Sequence, residues 1–203
     1  MSGKAFIIGN GESRKGYDLL ELTAYGVIFG CNALYRDYRP IYDAPDFLVA
    51  IDPNMITEIE SSDFPSERVV IPPMEEQFEP AACNISRPRS NAGCNAILEA
   101  IKMGYDEIYI LGFDFMIQNE AYTVGNIYDG TNAYGPETRA SVVDAHRRLN
   151  YIEWIINEHP EVQFTFMFPN LGLTLHSLRV NMNNVRGLLF NPGSPYQSSV
   201  LEK

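Results

Sequence analysis

The 203-residue sequence has little of what marks secreted or membrane proteins. It has only three cysteines, Cys31, Cys83 and Cys94, and their odd number and irregular spacing indicate neither a disulfide framework nor a zinc site. No apolar run approaches the roughly 18 residues of a membrane span. The apolar run that follows Lys4 is too short for a signal peptide. We therefore expect a cytoplasmic protein without a membrane span.

Basic residues are also scarce. The chain has 15 Lys and Arg against 26 Asp and Glu, and its formal net charge is -11. Because binding to a nucleic-acid backbone depends on clustered basic side chains, this balance disfavours a DNA or RNA partner. A small anionic ligand is compatible with it, since such a ligand needs only a few local donors. The acidic composition also permits a homo-oligomer.

The sequence lacks the common catalytic and metal-binding motifs. Its three histidines, His146, His159 and His176, have no metal-ligand spacing, and no Gly-x-Ser-x-Gly elbow occurs. We predict no metal site. His146 follows a long polar stretch, so it is the candidate general base. The alternative is that it is an ordinary residue on the surface of a helix.

The pattern of apolar residues predicts an α/β fold. Short apolar runs that end in glycine, proline or polar residues are typical of buried strands, and they span residues 4–8, 26–31, 46–51, 68–71, 107–111 and 162–168. Helical patterns cover residues 18–22, 92–103 and 137–158. The alternation predicts a single Rossmann-like domain over residues 1–203, with a mostly parallel sheet and helices on both faces. The pattern leaves residues 171–203 as an unassigned tail.

Glycines and polar residues follow several of these predicted strands. They are Gly9, Asn10, Gly11 and Ser13 after the first, Asn32 after the second, Asp52 after the third and Asp114 after the fifth. Each is compatible with a simple turn or cap. Because the carboxyl ends of parallel strands meet at one edge of a sheet, together they predict a crevice for a nucleotide-type ligand. The first turn is not a complete dinucleotide fingerprint, because Arg14 occupies the third glycine position.

Two further segments are candidates for ligand contacts. Asn91 precedes the helical pattern and, with Gly93, predicts either a plain N-cap or an anion site at the start of a helix. Arg87 and Arg89 lie just before it and are within reach of an anionic ligand or are solvated loop charges. Residues 116–136 form a long polar stretch, and loops of that length in compact domains are usually functional.

Four segments resemble the bacterial sialyltransferase family that includes the Campylobacter enzymes. Residues 7–13 (Ile-Ile-Gly-Asn-Gly-Glu-Ser) are similar to its Gly-Asn-Gly-Pro-Ser start, with Glu12 in place of proline. Residues 104–115 (Gly-Tyr-Asp-Glu-Ile-Tyr-Ile-Leu-Gly-Phe-Asp-Phe) are the most specific match. Residues 29–35 and 168–170 also resemble family segments.

The resemblance implies a sialyltransferase-like glycosyltransferase. It would use a nucleotide-sugar donor such as a CMP-sugar and a glycan or small-molecule acceptor, and it would require no cofactor and no metal. The implied donor-binding residues are Gly9, Asn10, Gly11, Ser13, Asn32, Asp52, Asn91, Gly93 and Tyr122. Catalysis would involve Asp114 and the base His146, with Asp114 or Asp144 as the alternative base.

Residues 45–52 (Pro-Asp-Phe-Leu-Val-Ala-Ile-Asp) also resemble a second group. This is the domain shared by motility-associated glycosyltransferases and the archaeal pterin diphosphokinase. It implies an alternative function as a Mg²⁺-dependent diphosphokinase that uses ATP, with Asp52 and Asp114 holding the metal. A third alternative is a nucleotide-binding module without catalysis. The sequence thus leaves open whether the chain is an enzyme, with a glycosyltransferase preferred.

Overall fold

Seven strands form one parallel sheet. The computed structural model describes residues 3–38, 43–83, 91–118, 125–134 and 142–194. The strands are β1 (Lys4–Ile8), β2 (Val27–Cys31), β3 (Phe47–Val49), β4 (Val69–Val70), β5 (Glu107–Leu111), β6 (Gln163–Pro169) and β7 (Val185–Phe190). Their spatial order is β4-β3-β2-β1-β5-β6-β7, and every neighbouring pair is parallel. The predicted α/β class with a mostly parallel sheet is confirmed.

Helices cover both faces of the sheet, as predicted. They are α1 (Leu19–Leu22), α2 (Pro53–Glu60), α3 (Ala92–Lys102) and α4 (Val142–Glu158). One hydrophobic core lies between the sheet and the helices α3 and α4. A second core on the opposite face includes residues of α1, α2 and the 3₁₀ helix Asn32–Tyr38. None of the helices in the described part of the chain is long and apolar enough to cross a membrane.

The central strand β1 shows why the sequence produces two cores. Ala5 and Ile7 are buried in the core beneath α3 and α4, whereas Phe6 and Ile8 are buried in the opposite core. Successive side chains of a strand point to opposite faces, so a strand covered on both sides must be apolar at every position. This is the physical basis of the continuous apolar runs in the sequence.

The order of the strands creates a crevice beside β1. The chain runs outward from β1 through β2 and β3 to β4, and then returns to form β5 on the other side of β1. The connections therefore leave β1 and β5 in opposite directions, which is the topological switch point at which open parallel sheets bind ligands. The backbones remain close there, since the Gly9 N–H donates to the Leu111 carbonyl oxygen at 2.8 Å.

One of the strands and one of the α-helices in the described part of the chain were not predicted from the sequence. The predicted tail contains β7, whose residues pair with β6 from Val185 beside Phe164 to Phe190 beside Pro169. β7 is an edge strand with exposed positions and a glycine, so it lacks the apolar run of the inner strands. The helix α2 was also missed, although Asp52 followed by Pro53 is a typical helix start.

Candidate ligand-binding site

A cavity of about 420 Å³ lies at the carboxyl edge of the sheet. It is bounded by the turns after β1 and β5, by the starts of α2 and α3, by part of α4 and by the 125–134 segment. The residues that line it are Gly9, Asn10, Gly11, Cys31, Asn32, Ile51, Asp52, Pro53, Asn54, Met55, Asn91, Ala92, Gly93, Gly112, Phe113, Asp114, Phe115, Gly125, Asn126, Ala133, Tyr134 and Arg148. The cavity thus occupies the switch point of the sheet.

The turn after β1 is held by the carboxylate of Asp114. This carboxylate accepts hydrogen bonds from the backbone N–H of Ser13, at 3.0 Å to Oδ2, and from the Ser13 hydroxyl group. Position 11 must be glycine, because an added Cβ would lie 2.2 Å from Asp114 Oδ1. Burial raises the pKa of Asp114 to about 6, although its hydrogen bonds with Ser13 oppose the rise. Asp114 therefore positions the turn as well as lining the cavity.

Two buried amides share the hydroxyl group of Tyr134. Asn10 Nδ2 donates to the Cys31 carbonyl oxygen at 3.3 Å and to Tyr134 Oη at 3.0 Å. Asn32 Nδ2 donates to the Asp52 carboxylate and to Tyr134 Oη at 3.2 Å. A carbonyl and a carboxylate can only accept, so they determine the orientation of both amides. The two Oδ1 atoms are buried and have no hydrogen-bond partner among the described residues.

The backbone of Asn32 is also unusual. It has φ 49°, in the left-handed region that a residue with a Cβ rarely adopts. Asparagine tolerates this conformation better than most residues. Asn32 is 3% exposed and lies at the cavity directly after β2. A strained, buried polar residue in such a place is typical of a functional position.

The helices α2 and α3 both begin at the cavity. The side chain of Asn91 accepts hydrogen bonds from the backbone N–H groups of Gly93 at 2.9 Å and Cys94 at 3.2 Å, which confirms the predicted N-cap. Asp52 is the N-cap of α2, but its side chain makes no capping hydrogen bond. The start of a helix carries a partial positive charge, so two such starts favour an anionic ligand.

Arg148 brings a full positive charge to the cavity from α4. Desolvation raises the pKa of Asp52 above its ordinary value, while the hydrogen bond from Asn32 and the charge of Arg148 oppose the rise. Within the described part of the chain, no carboxylate lies within ion-pair distance of the Arg148 guanidinium. Among the described residues, the cavity therefore contains a cation without a carboxylate partner.

The structure brings most of the predicted site residues together. Those that line the cavity are Gly9, Asn10, Gly11, Asn32, Asp52, Asn91, Gly93 and Asp114. Ser13 is buried beside them and is hydrogen-bonded to Asp114. Tyr122, Arg87, Arg89 and the side chain of Asp144 lie outside the described residues. The structure gives the positions of the described residues, and their roles in binding stay predictions.

His146 is not among the residues of the cavity. It is exposed on α4, and its ring centroid lies 5.7 Å from that of His176. Its role as a general base stays a prediction. Asp52 and Asp114 are the described carboxylates that line the cavity.

Tyr134 and Arg148 are among the cavity residues that sequence reasoning did not select. Tyr134 lies in the long polar stretch 116–136, which was predicted to be functional but gave no reason to prefer one tyrosine. Arg148 follows Arg147 in a helical pattern, and no signal in the sequence separates the two. Only the packing of α4 distinguishes them.

The described residues provide neither a metal cluster nor a reactive thiol at this site. No three His, Cys, Asp or Glu side chains within the described ranges come together as metal ligands would. Cys31 is buried, and burial raises the pKa of its thiol to about 12. A thiol that is protonated at neutral pH is a poor nucleophile.

Comparison with known proteins gives a remote likeness to a solved structure. No protein-family model matches the sequence, and no significant match occurs among curated protein sequences. The chain is similar to a solved structure of the sialyltransferase CST-II in complex with CMP, with 16% sequence identity and a TM-score of 0.42. The likeness covers 94% of this chain and 88% of that one. At this TM-score it carries no argument about function or about equivalent residues.

Proposed function

We propose that the chain is a sialyltransferase-like glycosyltransferase that binds a nucleotide-sugar donor, a CMP-sugar, in the cavity. The sequence motifs that resemble bacterial sialyltransferases support the choice of donor. The chemistry of the cavity supports a nucleotide ligand independently of those motifs. Its volume of about 420 Å³ falls within the range of about 300–1,000 Å³ that is typical of small-molecule sites.

The observation that carries the proposal is the pair of unpartnered amide oxygens, Asn10 Oδ1 and Asn32 Oδ1, in the described part of the chain. A buried acceptor without a partner is costly, so such atoms usually serve a ligand. The two helix starts beside them favour negative charge. A nucleoside phosphate offers both kinds of group, because its base and ribose donate hydrogen bonds and its phosphate is anionic.

In the proposed reaction the acceptor oxygen forms a bond to the anomeric carbon of the sugar. The bond between that carbon and the phosphate oxygen breaks, and the nucleotide leaves as an anion with the electron pair. The proton of the acceptor hydroxyl passes to a base.

We assign the base to Asp52. It is exposed, and its Oδ1 accepts no hydrogen bond from another described residue. Both oxygens of Asp114 accept from Ser13, so Asp114 is better suited to positioning the turn. His146 remains the alternative base. The raised pKa of Asp52 makes it a stronger base than an ordinary carboxylate.

Calorimetric titration with CMP, CDP, UDP, GDP and ATP, each with and without Mg²⁺, tests the binding. We expect CMP to bind without the metal. A ligand at 100 times its dissociation constant should stabilise the native state by about 2.7 kcal/mol, which thermal unfolding detects. Binding of ATP only in the presence of Mg²⁺ would favour the diphosphokinase instead. Binding of none of these nucleotides would contradict the proposal.

Variants test the site itself. Asn10→Ala and Asn32→Ala should each weaken CMP binding about tenfold, the effect of one hydrogen bond of about 1.4 kcal/mol. Asn157→Ala is the matched control, because Asn157 is exposed on α4 and lies outside the cavity lining. Asp52→Asn should retain CMP binding and abolish transfer or hydrolysis of a CMP-sugar. Unchanged turnover in Asp52→Asn would remove Asp52 from the mechanism.

A further inference from the structure

Arg148 is a cation for which the described part of the chain provides no counter-ion. It lies on α4, is half-buried and lines the cavity. Two other arginines near the cavity differ from it, since Arg14 pairs with Asp37 and Arg36 pairs with Glu58. The neighbouring Arg147 is half-buried and also has no carboxylate partner among the described residues, but it does not line the cavity. In a chain with 26 acidic and 15 basic residues, a guanidinium left without a carboxylate partner inside a cavity is conspicuous.

The position of Arg148 relative to the starts of α2 and α3 indicates which kind of ligand group it could bind. Its charge acts on Asp52 at the start of α2 and on Cys94 in the first turn of α3, and it lowers the pKa of both groups against the dominant effect of desolvation. The guanidinium therefore stands near the positive ends of both helices. A guanidinium beside helix starts is an arrangement that suits a phosphate group.

We propose that Arg148 binds the phosphate of the nucleotide ligand, while Asn10 and Asn32 hold the nucleoside part. This inference rests on the proposed function and adds to it the phosphate subsite. Guanidinium groups pair with phosphate oxygens through two parallel N–H···O hydrogen bonds, which lysine does not reproduce. Arg148 would thereby balance the negative charge that the phosphate brings into an acidic protein.

In this assignment the ligand phosphate is the anionic partner of Arg148, which lines the cavity together with Asp52. A purely structural role for Arg148 would be to screen the Asp52 carboxylate, and its loss would then affect all ligands alike. Binding to the phosphate affects only ligands that carry a phosphate. The two roles therefore differ in a measurable way.

The test compares cytidine with CMP in the wild type and in Arg148→Gln, by calorimetry at constant ionic strength. We expect Arg148→Gln to weaken CMP binding by about tenfold to a hundredfold, the range for a charge-assisted hydrogen bond. Cytidine binding should change less than twofold. Arg147→Gln is the matched control, since it removes the same charge from the neighbouring position of α4, outside the cavity lining.

Further measurements keep the test decisive. Arg148→Lys should bind CMP more weakly than the wild type although the charge is retained, and far-ultraviolet circular dichroism should show that each variant folds. Equal losses for cytidine and CMP, or no loss for either, would overturn the phosphate assignment and leave the proposed function intact. If the wild type bound neither cytidine nor CMP, the proposed function itself would fail.

Discussion

Two regions around the cavity use their arginines in opposite ways. On the side of the 125–134 segment, Arg14 pairs with Asp37 and hydrogen-bonds to Tyr128 Oη at 3.0 Å. Arg36 binds the Glu58 carboxylate and also donates to Asn132 Oδ1 at 2.9 Å. Each of these arginines joins a carboxylate of the body to a side chain of the segment. On the side of α4, Arg148 has no such carboxylate within the described residues.

The two regions therefore differ in whether an arginine is bound by a carboxylate of the fold or remains able to bind a ligand. A buried charge that is paired and hydrogen-bonded stabilises one arrangement of the chain, and removal of one partner leaves the other uncompensated. A cation without a partner contributes little to the fold and keeps its binding capacity for a ligand.

Removal of the paired cation should destabilise the protein most. Arg14 is 4% exposed, and Arg14→Met leaves the Asp37 carboxylate without its counter-ion and with the Tyr128 hydroxyl group as its hydrogen-bond donor. We expect the free energy of unfolding to fall by about 3 kcal/mol. Arg148→Met should change it by less than about 0.5 kcal/mol. Urea denaturation at pH 7 measures both. Equal losses in the two variants would refute the distinction between the regions.

The carboxylates of the two regions should respond to pH with opposite signs. Asp114 has its pKa raised from 3.8 to about 6 in the folded protein, so its contribution to stability is complete below pH 4 and is lost as the pH rises through 6. With about 1.4 kcal/mol for each pKa unit, the wild type should lose about 3 kcal/mol that Asp114→Asn does not lose.

Glu58 is the counterpart of Asp114 in the paired region. Burial raises its pKa, but the hydrogen bonds from Arg36 and Tyr35 outweigh burial, and the net pKa lies below its ordinary value. Its contribution to stability is therefore present above pH 4.5 and is lost as the pH falls. Urea denaturation from pH 3 to pH 8 of Asp114→Asn and Glu58→Gln should show slopes that differ from the wild type in opposite directions, between pH 4 and pH 6 for Asp114 and below pH 4.5 for Glu58. Slopes of the same sign would contradict the assignment.

Two stacked tyrosines of the 125–134 segment allow the smallest test. Their ring centroids lie 6.4 Å apart. Tyr128 Oη contacts the charged groups of Arg14 and Asp37, whereas the partners of Tyr134 Oη among the described residues are the neutral amides of Asn10 and Asn32. Hydrogen bonds to charged groups are worth more, so Tyr128→Phe should cost about 2 kcal/mol and Tyr134→Phe about 1 kcal/mol. If Tyr134→Phe lowered the free energy of unfolding more than Tyr128→Phe in thermal or urea unfolding, the hydrogen bonds of Tyr128 to charged groups would not be the stronger ones.

The inner strands could be predicted from the sequence because the signal is local. The run 4–8 and the run 107–111 coincide with β1 and β5, and each is apolar because both of its faces are covered. The helical pattern of residues 92–103 likewise contains α3. β7 could not be found in this way, because an edge strand is partly exposed and its pairing with β6 depends on the folded sheet.

The residues of the candidate site likewise fall into those that a local sequence signal identifies and those that it does not. Asn10, Asn32, Asp52 and Asp114 could be selected because each follows a predicted strand, and parallel strands end at a common edge. Tyr134 lies in a polar segment and Arg148 lies in α4, and neither residue directly follows a strand. Their selection required knowledge of which face of α4 and which part of the 125–134 segment pack against the crevice.

Two features could be predicted from the sequence alone: the parallel α/β sheet, and the glycine and polar residues that lie at its carboxyl edge. Both follow from short-range patterns of burial and turn chemistry, which every segment carries within itself. The packing of the folded chain determines the rest: among the described residues Arg14 is paired, Arg148 has no carboxylate partner, and the amide oxygens of Asn10 and Asn32 have no hydrogen-bond partner. These properties depend on contacts between side chains that are distant in sequence, from 23 residues for Arg14 and Asp37 to 124 residues for Asn10 and Tyr134, and no local pattern encodes such contacts.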